Sequence, residues 1–372
     1  MPFPLIDPVG PHGAALDAPA LRVMEQIAAA AEQVDRDGVP RGHIDALARV
    51  GLVAGQIQPV AAAHEAVEVL AGCDASTWFC WTQHASPTQA LATSGDSADT
   101  PGANALRERY LAGLSAGALL AGVAFAHVRR PGPPNPVATR VDGGWRIDGT
   151  LDWVTSWDIA DVVLVVVRGS GDDAGTLVSF VLPAGRSGEA LPAGVDVGEP
   201  LQLLAMSGTH TRPITLTDVF VPDDQVVAVT DAVAWMAVDE QRTADANPAA
   251  FGLARACIAE LSELADVRGD EVMAQLASSL ADECREVRAR AYALAEDPDR
   301  AGTRPARLQA RADSLALASR AAQAVITARA GAAMLSGTPA ERRLREAMFL
   351  LVQAQTADTR RAQLERQLLS GQ

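Results

Sequence analysis

Two imidazoles stand in informative settings. His84 closes the run Asp74-Ala-Ser76-Thr77-Trp78-Phe79-Cys80-Trp81-Thr-Gln83-His84, and His127 lies within Ala124-Phe125-Ala-His127-Val-Arg129-Arg130. Imidazole changes charge near neutral pH, so either side chain could move a proton. The plainer reading is a structural histidine that satisfies its neighbours. Arg129 and Arg130 could fork onto a phosphate, as guanidinium groups do, or form a solvated charged turn. Trp78, Phe79 and Trp81 follow one another at helical spacing and could line a pocket or fill a core. The stretch Gly149-Thr-Leu-Asp-Trp153-Val-Thr155-Ser156 reads by itself as a β-strand with a core Trp.

Several chemistries are excluded. All 31 basic residues are Arg and Lys is absent, which removes lysine Schiff bases and the P-loop ammonium. Four cysteines, Cys73, Cys80, Cys257 and Cys284, lack the CxxC spacing of a zinc or redox site and the density of a secreted disulfide scaffold. They read as free, buried thiols, and no metal is expected. A formal charge of -15 offers no basic field for nucleic acid or an anionic membrane. Neither a leader-like N-terminus nor a membrane-length apolar run is present, so a cytoplasmic location is expected. With 372 residues, 48% of them hydrophobic, the chain can bury a large core in more than one domain.

These side chains need elements to position them. Asp17 before Pro19, followed by Val23, Ile27, Ala30 and Val34, predicts a capped opening helix. Further helices are predicted over Ile44 to Val50, over Ala61 to Leu70 with Glu65 and Glu68 facing out, and over Asn104 to Leu114. Ser94 to Gly102 reads as a surface loop. From Ala121 the pattern becomes strand-and-turn: Trp145 to Ile147, Val162 to Arg168, Thr176 to Leu182 and Ile214 to Val221, with Asp142-Gly143-Gly144 a hairpin turn. Val162 to Val167 is apolar throughout, so both faces should be covered. After Asp231, Ala249 to Val267, Asp270 to Glu296, Ala306 to Met334 and Pro339 to Leu369 read as long helices. The expected class is α+β: a helical domain over 1–119, a β-barrel or sandwich domain over 120–230, and a four-helix bundle over 231–372.

That order, with four local matches, resembles the acyl-CoA dehydrogenase superfamily. The first match is Gly149 to Ser156, similar to the family's Gly-x-x-x-Trp-[IV]-Thr-[NS] segment. The second is Leu203-Leu-Ala-Met206-Ser-Gly208-Thr-His-Thr211 leading to Thr217-Asp218-Val219-Phe220-Val221-Pro222. Val238-Asp239-Glu240-Gln241-Arg242 and the Gly331 to Ala347 stretch are the third and fourth. The resemblance implies a flavin cofactor, FAD, with FMN or reduced flavin from a reductase as alternatives. It implies that Trp153 packs on the flavin, that Thr155 hydrogen-bonds its N5 edge, and that Phe125, His127, Ser156 and Arg242 complete the cofactor contacts. Trp78, Trp81, Gln83 and His84 then belong to the substrate pocket. A small or carrier-bound acyl substrate and a homodimer or homotetramer are also implied.

The departures matter as much. Dehydrogenation of an acyl thioester needs a carboxylate over the ring, and the family's two positions for it fall at Ala354 and Gln241, neither of them acidic. Glu240 is one residue away, but one step along a helix rotates a side chain by roughly 100°. The Thr-Glu-Pro-Gly-x-Gly-Ser-Asp run is replaced by the segment Ala124 to Pro134, and the Arg-x-x-Phe-Gly diphosphate motif is not visible between Ala265 and Gln275. Three readings follow: a monooxygenase fed reduced flavin by a reductase, a dehydrogenase with His84 or His127 as base, and a non-catalytic ligand-binding homologue.

Overall fold

A computed structural model describes residues 16–94, 100 and 102–370. Most of the predicted Ser94 to Gly102 loop lies outside the described residues. Among those described, six helices precede the sheet: α1 (Ala18–Asp37), α2 (Arg41–Arg49), α3 (Val60–Cys73), α4 (Ala75–Thr82), α5 (Ala85–Thr93) and α6 (Ala103–Ser115). The Asp17 carboxylate accepts from the Ala20 N–H at 2.9 Å and starts α1 as predicted. Asp74 caps α4 in the same way, accepting from Thr77 N–H at 2.8 Å.

Eight strands follow: β1 (Ala121–Ala124), β2 (Val137–Val141), β3 (Gly144–Val154), β4 (Val162–Gly169), β5 (Thr176–Pro183), β6 (Val195–Val197), β7 (Arg212–Pro222) and β8 (Val226–Asp231). They form one sheet in the order β6-β7-β3-β2-β4-β5-β8, with β1 parallel to β4. The Asp142-Gly143 turn joins β2 to β3 in the predicted place. Val162 to Val167 is buried at every position, because apolar clusters occupy both faces of β4.

The remainder is helical: α7 (Ala232–Thr243), α8 (Pro248–Arg268), α9 (Glu271–Glu296), α10 (Arg304–Arg329), α11 (Pro339–Val352) and α12 (Ala357–Ser370). Of these, α8 packs on α9, α10 and α11 and also receives α3, which makes it the central helix of the molecule. No described helix is long and apolar enough to cross a membrane.

Two expectations are corrected. The segment read as one helix from Pro339 to Leu369 is broken between Val352 and Ala357, with Ala354 at φ 50. Thr356 restarts the chain as a cap, its Oγ1 accepting from the Thr359 N–H at 3.3 Å. Nor do Glu65 and Glu68 face out, since both are buried and Glu68 is 0% exposed. Helix α3 lies in the interior, where its acids must find partners. Glu68 Oε1 accepts from Arg288 Nε at 2.6 Å and from the Tyr292 hydroxyl, while Oε2 accepts from Arg255.

The α3–α8 crossing is so close that a Cβ on Gly252 would stand 2.0 Å from the Glu68 carbonyl oxygen. Gly252→Ala is therefore expected to lower stability by about 1–3 kcal/mol, read as a drop in the denaturant midpoint. An unchanged midpoint would mean that the helices separate at no cost.

Candidate active site

A cavity of about 1110 Å³ opens where the three parts of the chain meet. Its walls come from α3 and α4, the end of β3, the segment 203–211, the α7–α8 connection, and the α11–α12 break. Ligand pockets usually span roughly 300–1,000 Å³, so this space suits a cofactor together with a substrate.

The β3–β7 ladder builds one wall. Leu151 pairs with Ile214 and Val154 with Arg212, so β3 carries one extra residue between the two pairs. Such a bulge re-aims a side chain, and Trp153 is left 49% exposed at the cavity wall. The final pair, Val154 with Arg212, brings Thr155 beside Thr211, with their hydroxyl oxygens 3.2 Å apart. Thr211 Oγ1 lies 2.8 Å from Thr209 Oγ1, and Thr209 donates to the Met206 carbonyl at 2.7 Å. All three threonines line the cavity and are buried.

Neither of the two positions where a base was expected offers a carboxylate to the cavity. Ala354 lines the cavity with a methyl group. Gln241 does not; its side-chain oxygen accepts from the buried Arg307 instead. Arg311, 4% exposed, donates to the Asp245 carbonyl at 3.1 Å and to the Gln353 carbonyl at 2.8 Å. It thereby ties the α7–α8 connection to the α11–α12 break. Burial, with the Arg129 cation adding to it, pushes its pKa down to about 10.

Two acidic residues line this cavity among the described residues, Asp239 and Asp245, and both are neutralised. Arg129 holds Asp239 through two bonds of 2.7 Å, while Asp245 receives Arg300 at 2.6 Å and Arg307 at 2.9 Å. Arg130 pairs with Asp152, so neither guanidinium of the Arg129-Arg130 turn is left unpaired for a phosphate. Arg242, at the end of α7, lines the cavity and makes no ion pair among the described residues. Phe125 lines it too, packed edge-on to Trp235.

Trp78, Gln83, Phe125, Trp153, Thr155, Arg242 and Ala354 are thus brought together, and five other expected residues are not. His84 is 3% exposed, donates Nε2–H to the Leu114 carbonyl at 2.9 Å and accepts the Ala121 N–H on Nδ1 at 3.0 Å. With both nitrogens committed and burial lowering its pKa, it is a structural imidazole joining α6 to β1, which corrects its expected role as a base. His127 is corrected likewise: it donates to the Val166 carbonyl at 2.7 Å, is not part of the cavity lining, and burial lowers its pKa. Trp81 spends its indole N–H on the Leu52 carbonyl at 2.9 Å, and Ser156 is fully buried in a positive-φ turn.

His64 was missed. It lines the cavity and stacks on Tyr292 with ring centroids 4.3 Å apart, and burial lowers its pKa.

No protein-family model matches the chain, and no curated protein resembles it in sequence. Solved structures do match its fold. Butyryl-CoA dehydrogenase from Megasphaera elsdenii superposes with a TM-score of 0.74 at 17% identity, covering 95% of this chain and 99% of that one. Dibenzothiophene monooxygenase from Paenibacillus sp. A11-2 gives 0.73 at 18% identity, covering 94% and 95%. A glutaryl-CoA dehydrogenase from Mycobacterium smegmatis in complex with FADH2 gives 0.71 at 15% identity, covering 96% of each chain. The chain has the fold of the acyl-CoA dehydrogenases, shared with a monooxygenase.

Proposed function

We propose that this protein is a flavin-dependent oxidoreductase that works with reduced flavin on an apolar substrate, as a two-component monooxygenase fed by a separate reductase. The observation that carries this reading is that, among the described residues, the cavity wall holds no unpaired carboxylate: Asp239 and Asp245 are both tied to arginines, Gln241 is turned away, and Ala354 presents a methyl. Removal of an acyl α proton needs a base in reach of it.

The residues present fit a flavin. Trp153 offers a half-exposed aromatic face at the bulged end of β3, Thr155 offers a buried hydroxyl oxygen beside it, and Arg242 supplies a cation without an acidic partner for a phosphate group. Bound reduced flavin supplies two electrons for the activation of oxygen. The chain would provide a mostly apolar chamber, walled by side chains such as Phe79, Met348 and Phe349, that keeps water from the reacting edge. The dibenzothiophene monooxygenase and the FADH2 complex among the matching folds agree with this assignment.

A second reading, dehydrogenation with a relocated base, draws support from His64, an imidazole on the wall with a lowered pKa. The two separate in one experiment: titrate the purified protein with FAD and FMN, oxidised and reduced, then follow oxygen uptake and flavin bleaching by acyl thioesters. Oxygen uptake with reduced flavin supports the monooxygenase. Bleaching of oxidised flavin that is lost in His64→Asn supports the dehydrogenase, and binding of neither flavin sinks both. Trp153→Ala is expected to weaken flavin binding roughly tenfold, the loss of one aromatic contact of ~1.5 kcal/mol.

A further inference from the structure

We infer that the buried threonine relay fixes Thr155 as a hydrogen-bond acceptor towards the cavity, and that this polarity selects the reduced cofactor over the oxidised one. The inference rests on the flavin reading above and deepens it.

The direction follows from counting protons. The Met206 carbonyl can only accept, so Thr209 spends its single hydroxyl proton there at 2.7 Å. The 2.8 Å contact between Thr209 and Thr211 must then be a donation by Thr211. With that proton used, the 3.2 Å contact between Thr211 and Thr155 must be a donation by Thr155. Thr155 Oγ1 is left with lone pairs and no proton to give.

Exposures of 5%, 1% and 5% for Thr155, Thr209 and Thr211 keep bulk water from resetting the chain. Reversing it would leave the Met206 carbonyl with the Thr209 backbone N–H alone, at 3.1 Å, one hydrogen bond fewer in a buried site. The relay is anchored on backbone: Met206 sits at φ 65, and the Thr209 carbonyl accepts the Ser156 N–H at 2.9 Å.

An acceptor in this place favours a partner that carries hydrogen. The N5 edge of a reduced flavin bears a hydrogen, whereas N5 of an oxidised flavin presents a lone pair. With its N5 edge at Thr155, as the resemblance implies, a reduced flavin would donate a hydrogen bond to that oxygen, whereas an oxidised one would meet oxygen with nitrogen and gain nothing. A net hydrogen bond gained on one side only is worth about tenfold in relative affinity.

The test measures dissociation constants of reduced and oxidised flavin, anaerobically, for the wild type and for Thr211→Val, Thr211→Ser and Thr155→Val. The ratio of the two constants within each protein cancels general effects on folding or pocket shape. Reduced flavin is expected to bind about tenfold more tightly in the wild type. Thr211→Val frees the Thr155 proton, so oxidised flavin gains affinity and the ratio falls towards one. Thr211→Ser keeps a hydroxyl and keeps the ratio, while Thr155→Val abolishes discrimination. A ratio unchanged by Thr211→Val overturns the relay and leaves the flavin reading standing. Failure of every protein, the wild type included, to bind either form overturns the flavin reading itself.

Discussion

Replacing Glu68 by Ala should cost about 3–5 kcal/mol of stability, because removing one partner of a buried ionic network leaves the others with uncompensated charge. The carboxylate is 0% exposed and takes protons from Arg255, Arg288 and the Tyr292 hydroxyl. Burial, with the Glu68 side chain beside it, raises the pKa of the Tyr292 phenol well above its ordinary value. The loss is read from equilibrium unfolding in urea. Glu68→Gln, which retains an acceptor and its volume, should cost less. A double change, Glu68→Leu with Arg255→Met, should recover part of the loss, since apolar replacement of a buried ion pair is often neutral. A cost under ~1 kcal/mol for Glu68→Ala, typical of a surface ion pair, would mean that the site is open to water. Because Tyr292 and its stacking partner His64 both line the cavity, the same change should also disturb flavin binding.

On the monooxygenase reading, Ala354→Glu should raise acyl-thioester dehydrogenation far above the residual rate of the wild type. Ala354 lines the cavity and is only partly buried, so a carboxylate there retains some solvation and can ionise. It already occupies a left-handed conformation at φ 50 as a non-glycine residue, so the longer side chain adds little backbone strain. A positioned general base contributes about 10²–10⁴ in rate, and the bleaching of bound oxidised flavin by an acyl thioester should rise by that factor over the wild type. Rapid bleaching by the wild type, matched but not exceeded by the variant, would show that a base is already present and favour the second reading, and bleaching by neither protein would overturn the prediction.

Much of the fold was legible because its signals are local. The Asp17 cap, the Asp142-Gly143 turn and the apolar run at Val162 each needed only a few neighbouring residues to be interpreted. Acids usually face water, which predicts an exposed Glu68, yet α3 carries apolar residues on every side, at Ala61 to Ala63, Ala66, Val67, Val69 and Leu70. A helix apolar all round is buried, and that was the available signal. Its partners on α8 and α9 lie 187 to 224 residues away, beyond any local pattern. The break at Ala354 has neither Gly nor Pro to announce it, and only Thr356 hinted at a new cap. The site was half legible. Trp153, Thr155 and Arg242 stand in stretches that resemble a known family and reach one cavity, whereas residue type alone points to His84 and His127, whose hydrogen bonds to backbone depend on tertiary contacts. The threonine relay required the β3–β7 register, which no sequence motif supplies.

The cavity is a joint rather than a hole in one domain, since helices, sheet and bundle each contribute a wall. Whatever occupies it is held by all three and so acts as mortar between them. Anything that binds only the assembled form stabilises it by about 2.7 kcal/mol at a hundred times its dissociation constant. On the reading proposed above, cofactor supply would therefore set the lifetime of the protein against proteolysis as well as its catalytic output.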